Sequence, residues 1–311
     1  MRYSLVSRFR GTLLGTVIGA GLVPGGEAVQ QTVDSQIIPA VITGCGSLVR
    51  LGRLDLDDWR EIYQQEFFSS GTAESITLKI ILATIPVALF FHENPVKLQQ
   101  NLLEVVKIWS DDAIIRDGTL AIGYAIAQSL TEKLQPQTLI PQIISFIGDT
   151  HTSIPQNLLK VNQAVTQGSG LTRLLSELNG TEKLSSALAV GFYCFLSTLE
   201  DLRLTMLQTV KLNSVYAQTI IAITGALSGS YNSTVGIPVN WQVALLGKNS
   251  AATGESKLWQ MLELGDALAA VWSGVYHLTA YPREFSEHGC IMFEQQVPLS
   301  VYAAPRIIRG H

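Results

Sequence analysis

Apolar positions recur at helical spacing along nearly the whole chain, and convincing runs of alternating apolar and polar residues are absent. The stretch that organises the rest is Leu207 to Trp241. It reads as one helix, a Gly-rich exit, and a short second helix opened by Pro238, whose missing N–H costs nothing in a first turn. Ile220, Ile221, Ile223, Thr224, Leu227 and Ser228 supply an apolar and small surface near helical spacing. Gly225, Ala226, Ser228, Gly229 and Ser230 leave almost no side-chain bulk, so another backbone can come close there.

The remaining pattern is a succession of helices. The first is expected over Ser4 to Leu22, with Leu5, Phe9, Leu13, Val17 and Ile18 inward. Gly15, Gly19 and Gly21 give it a close-packing or ligand-facing edge. Ser35 to Leu51 follows, with Pro39 in its first turn. Asp55 to Phe68 has Asp55 as N-cap and two further acids facing the helix dipole. The run from Ser69 to Phe91 reads as an apolar helix capped by Thr72 or Ser70, with Glu74 in its first turn. Asn94 to Trp109 and Asp111 to Leu130 come next, and Asp111 and Asp112 are cap and first-turn residues. Pro136 to Phe146 and Pro155 to Val165 are shorter helices joined by Asp149, Thr150, His151 and Thr152, a polar loop whose lone His reads as solvated. Gly168 to Gly170 is a connection. Thr181 to Leu199, Glu200 to Val210 and Glu255 to Leu278 complete the helices. Beyond Tyr281 the period dissolves, with short extended segments expected between Met292 and Tyr302. The expectation is one all-α domain over residues 1–280, a compact orthogonal array of many helices, with residues 281–311 as an irregular tail packed on the body.

Composition sharpens this reading. Of 311 residues, 47% are apolar and only 15% charged, so the chain must bury a thick core or a large interface. The net charge of −4 is spread without long blocks. That argues against a nucleic-acid partner, whose phosphates need clustered Lys and Arg. Cys45, Cys194 and Cys290 fit neither a zinc ribbon nor a disulfide framework and read as buried thiols of a reducing compartment. The N-terminus superficially looks like a signal peptide, but Arg8 and Arg10 interrupt it. No run reaches the roughly 18 uninterrupted apolar residues of a membrane span. A cytoplasmic protein without a transmembrane segment is expected.

Several of these stretches resemble the ADP-ribosylglycohydrolase family. Ile223, Gly225, Ala226, Gly229, Ile237, Pro238 and Trp241 match the frame of its C-terminal metal-binding segment. Arg10, Gly11, Leu13, Leu14, Gly15, Ile18, Gly19 and Leu22 match its first helix. Thr72, Ala73, Glu74 and Ser75 fall on its Thr-Asp-Asp-Thr cluster. Ala113, Arg116 and Gly123 fall on the Gly-rich loop that approaches the ADP-ribose, and Glu27 falls on its loop Glu.

The resemblance implies a compact all-helical fold and, in the family's hydrolases, two divalent cations between the early and late acidic clusters. Here the early cluster holds Ala73 at an Asp position. The late pair falls on Tyr216 and Gln218 counting back from Gly225, or on Val215 and Ala217 counting forward from Leu212. The acid of the family's first helix is Ala20. Thr72, Glu74 and Thr219 are the vestigial oxygen ligands. Hard cations want several oxygen ligands, carboxylates most usefully, and one carboxylate cannot balance two of them. The first expectation is therefore a degenerate member, non-catalytic, acting in binding or scaffolding, with no cofactor. Its partner is an ADP-ribose-like small molecule or a protein, and Arg116, Glu74, Tyr216 and Gln218 line the cleft. The alternative is an active hydrolase of N- or O-glycosidic bonds in ADP-ribosylated substrates. It would use one Mg2+ or none, with Glu27 and Glu74 as converging acids. A third reading sets the resemblance aside and takes the low charge as the mark of a large apolar partner or membrane interface.

Overall fold

The structure is a computed structural model, and it describes residues 3–22, 37–67, 79–210, 217–246 and 256–274. Residues 79–83 are helical, and fourteen α-helices and one 3-10 turn lie wholly within the described residues. In chain order they are α1 (Leu5–Gly21), α2 (Ile37–Leu51), α3 (Leu56–Phe67), α4 (Ile85–Phe90), α5 (Pro95–Trp109), α6 (Ala113–Leu130) and α7 (Pro136–Ile147). Then follow α8 (Ile154–Gln167), α9 (Leu171–Leu178), α10 (Lys183–Ser197), α11 (Leu202–Val210), α12 (Ala217–Asn232), α13 (Val239–Leu246) and α14 (Lys257–Ser273). No strand occurs among the described residues, so the all-α class is as the period indicated.

The centre is the antiparallel pair α1 and α12, and both are buried along almost their whole length. Glycines make this packing. A Cβ built on Gly15 would stand 2.1 Å from the Gly225 carbonyl oxygen, and one on Gly11 would stand 2.5 Å from that of Gly229. Gly19 faces the Ile221 carbonyl in the same way, at 2.4 Å. The two backbones are in direct contact, close enough for Cα–H groups to point at opposing carbonyls. The small edge expected on α1 is thus a packing edge at Gly15 and Gly19. Gly11, which carried only the family match, extends it by one more turn. Thr12 and Thr16 sit fully buried in this seam and donate to the carbonyls four residues earlier, both at 2.8 Å.

Other helices wrap this pair. On α14, Gly265 lets the helix lie against the Arg10 backbone, and Arg10 grips Asp266 with two hydrogen bonds of 2.5 Å. Phe9, His92 and Trp272 form an aromatic contact between α1, the end of α4 and α14. The Asp55 cap falls where the sequence put it, while α6 is capped by Asp112, one residue after the expected Asp111. Asp55 accepts from the backbone N–H groups of Asp57 and Asp58, Asn94 from Lys97 and Asp112 from Ile114.

Two expectations need correction. The apolar stretch from Leu207 is not one element: Leu207 belongs to α11, which packs back on α12, so the chain reverses between them. An apolar period cannot show such a reversal, because both arms face the same core. The connection at Gly168 to Gly170 leads into a further helix, α9, whose Leu174 and Leu178 are buried. The expected tail, residues 281–311, lies outside the described residues.

Candidate functional site

Because α1 and α12 are antiparallel, the C-terminal end of α1 lies beside the first turn of α12. Ala20 and Thr219 therefore belong to one end of the molecule, and both are buried. The first turns of α6 reach the same end. A Cβ on Gly118 would meet Leu188 at 2.7 Å and Ile81 at 3.0 Å, and Gly191 on α10 in turn faces Ile220 and Thr224. Arg116, two residues before Gly118, thus lies on a helix that packs against both α10 and α12. Of the residues singled out in the sequence, Glu27, Thr72, Glu74 and Tyr216 lie outside the described residues. Gln218 lies in the first turn of α12.

Arg116 is half-exposed and has a buried anchor. Its Nε donates to Asp117 Oδ1 at 2.8 Å, and its Nη2 donates to Thr150 Oγ1 at 3.2 Å. Asp117 is fully buried. Its other oxygen, Oδ2, accepts from the hydroxyls of Thr150 and Thr152, each at 2.6 Å. A buried carboxylate is tolerated only when it is paired and hydrogen-bonded, and here one cation and two hydroxyls do both. The guanidinium is thereby held in one orientation, with Nη1 donors outside this cluster.

Thr150 and Thr152 are the residues that sequence reasoning passed over. Their loop reads as a polar connection with a solvated His, and His151 is indeed exposed. The signal that would have found them is Asp117 itself. It stands at an inward position of α6, in register with Leu120, Ala121 and Tyr124, where a charge must have partners.

The surroundings are acidic. Glu182, the N-cap of α10, lies near Asp112, the N-cap of α6. Burial first, and the charge of Asp112 second, push the Glu182 carboxyl above its ordinary value. Metal fit can be tested directly on the described side chains. Ala20 offers a methyl and Thr219 one neutral hydroxyl, which alone do not fit a divalent cation. Among the described residues no group of three His, Cys, Asp or Glu is gathered. No described helix is long and apolar enough to cross a membrane.

With this geometry in view, comparison with known proteins defines the class. The fold resembles solved structures, among them an ADP-ribosylglycohydrolase-related protein complex. That structure superposes with a TM-score of 0.62 at 17% identity, covering 86% of this chain and 97% of its own. Identity that low establishes the fold alone. The family model for ADP-ribosylglycohydrolase matches residues 29–277, most of the chain, and the chain belongs to that family. No curated protein matches it.

Proposed function

We propose that the chain is a non-catalytic member of the ADP-ribosylglycohydrolase family that binds an ADP-ribose-like ligand. The cleft lies at the end where α1 finishes and α6 and α12 begin. The observation that carries this reading is the chemistry at Ala20. It takes the place of the acid in the family's first helix and is a buried methyl at the end of the α1–α12 pair. Ala73, Tyr216 and Gln218 at the other matching positions point the same way, because none offers a carboxylate. Losing one acid is repairable; losing several leaves too little negative charge for two divalent cations.

Binding is the function that this arrangement still supports. Arg116 is the cation, oriented from behind by Asp117, Thr150 and Thr152, and its outer donors suit an anionic group such as a pyrophosphate. The acids Asp112 and Glu182 oppose a dianion at close range, so the affinity is modest.

The test has two arms on one preparation. Release of ADP-ribose from ADP-ribosylated arginine is measured with magnesium and with chelator, and ADP-ribose binding is followed by calorimetry. We expect no release, and binding that Arg116→Ala weakens about tenfold, the equivalent of one charge-assisted contact. Release abolished by chelator would overturn the reading and mean that other ligands rebuild a metal site. Neither release nor binding would reduce the protein to a scaffold.

A further inference from the structure

The short helix α13 is mostly apolar, with Asn240 and Gln242 its polar residues, yet only one of its apolar sides is covered. Trp241 and Leu245 face the core at 1% and 4% exposure. Val239 and Val243, one turn apart on another face, are 73% and 56% exposed. An apolar helix face is normally a buried one. The adjoining elements carry two further exposed apolar groups. Val235, in the 3-10 turn just before α13, is 72% exposed, and Trp259, in the first turn of α14, is 58% exposed. The two helices are joined at this end, where the Ser256 hydroxyl donates to the Leu245 carbonyl at 3.3 Å. These four side chains are among the most exposed large apolar groups of the described chain, and they gather on consecutive elements.

We propose that this face is covered by the chain's own C-terminal segment, residues 290–302. Three observations select that occupant. The α14 helix ends at Gly274, whose left-handed backbone closes it, while the sequence runs on to His311. The family match stops at residue 277, so the continuation lies beyond the shared domain. Within it, Val297, Leu299 and Val301 alternate with Pro298, Ser300 and Tyr302, which gives an extended segment one aliphatic edge.

Geometry allows the return. α14 is about 25 Å long at 1.5 Å per residue. About eight extended residues, at roughly 3.3 Å each, span that distance back to Trp259. The segment begins well past that length. Covalent attachment also gives it an effective concentration in the millimolar range, which a second copy matches only in concentrated solution. The aliphatic edge of residues 297–301 therefore lies on Val239, Val243 and Trp259, and α13 becomes buried on both faces.

The test uses the full chain. Carbene footprinting of the unmodified protein reads side-chain access, with Val96 and Leu204, 65% and 44% exposed, as references within the same molecule. We expect Val239, Val243 and Trp259 to label at least fivefold less than these references, independently of protein concentration. Labelling equal to the references overturns the proposal, and so does protection that disappears on dilution, the mark of a second copy. A photo-crosslinking residue, p-benzoylphenylalanine at Val239, then identifies the cover in a mixture of 14N and 15N chains. Crosslinks to residues 290–302 of the same isotope support the assignment. Mixed-isotope crosslinks, or crosslinks to any other segment, refute it.

Discussion

Gly15 and Gly225 touch backbone to backbone: a Cβ on either would stand 2.1 Å from the carbonyl oxygen of the other. No side-chain rotation relieves such a contact, because both partners are main chain. Gly15→Ala and Gly225→Ala must therefore push α1 and α12 apart along the centre of the core. Overpacking of this kind costs about 3 kcal/mol or more. Gly46→Ala is the control. Gly46 also lies inside a helix, α2, but a Cβ there meets nothing within 4 Å. Alanine at that place is expected to stabilise by about 0.5–1 kcal/mol through helix propensity. Urea unfolding of the three variants checks both signs, and equal effects at Gly15 and Gly46 would refute the backbone contact.

This pair also shows how far the sequence alone reached. Gly225 and its small neighbours announce a close approach, and Gly15 and Gly19 announce another, so the helix contact at the core was legible. Apolar period and caps placed most helix ends to within a few residues. The reversal between α11 and α12 was not legible, since both helices are apolar and no Gly-Pro signal divides them. In the proposed cleft, Arg116 was singled out from its motif position alone. Its anchor was not, because Thr150 and Thr152 come from a distant loop and hydroxyl pairs carry no pattern of their own.

The buried cluster around Asp117 gives a prediction that separates pairing from burial. Arg116→Met leaves a fully buried carboxylate with only two hydroxyl donors. Removing one partner of such a pair is expected to cost about 3 kcal/mol, somewhat less than a wholly buried pair because Arg116 is half-exposed. Replacing the whole polar set, Asp117→Leu with Thr150→Val and Thr152→Val in the Arg116→Met background, leaves no buried charge and frees only the part-buried Thr152 N–H, which donates to Thr150 Oγ1 at 3.3 Å. That combination is expected to be less destabilised than Arg116→Met alone. Denaturant midpoints of the single and multiple variants decide it. Additive losses would mean that each residue acts on its own and that the cluster is not a unit.

The thiols make a chemical prediction. Cys45 and Cys194 are both buried, and burial pushes each thiol up; Cys194 rises to about 11 although the Thr209 hydroxyl opposes the shift. The thiolate is the nucleophile, and with a value near 11 only about one Cys194 in a thousand is ionised at pH 8. In a Cys290→Ser chain, DTNB is expected to titrate no thiol in the native state and both Cys45 and Cys194 after denaturation. Rapid native labelling of Cys194 would mean that α10 and α11 separate on the timescale of the reaction.

Glu182 sets a pH dependence whose sign follows from its surroundings. Burial and the neighbouring charge of Asp112 hold its carboxyl above the ordinary 4.5, so the folded state binds this proton more tightly than the unfolded chain does. The stability it contributes is fully present below 4.5 and is lost as pH rises through the folded value. The charge of Asp112 thus opposes ionisation of Glu182. Glu182→Gln is therefore expected to raise the melting temperature relative to the parent near pH 7, and the difference is expected to shrink near about pH 4 as the parent takes up its proton. Asp112→Asn supplies the second arm, because Asn caps a helix as well as Asp and removes only the charge. In that background the Glu182 carboxyl, followed by NMR, titrates at lower pH and the benefit of Glu182→Gln falls. An unchanged titration would leave burial as the sole cause of the shift and place Asp112 too far away, or too well screened by solvent, to act on Glu182.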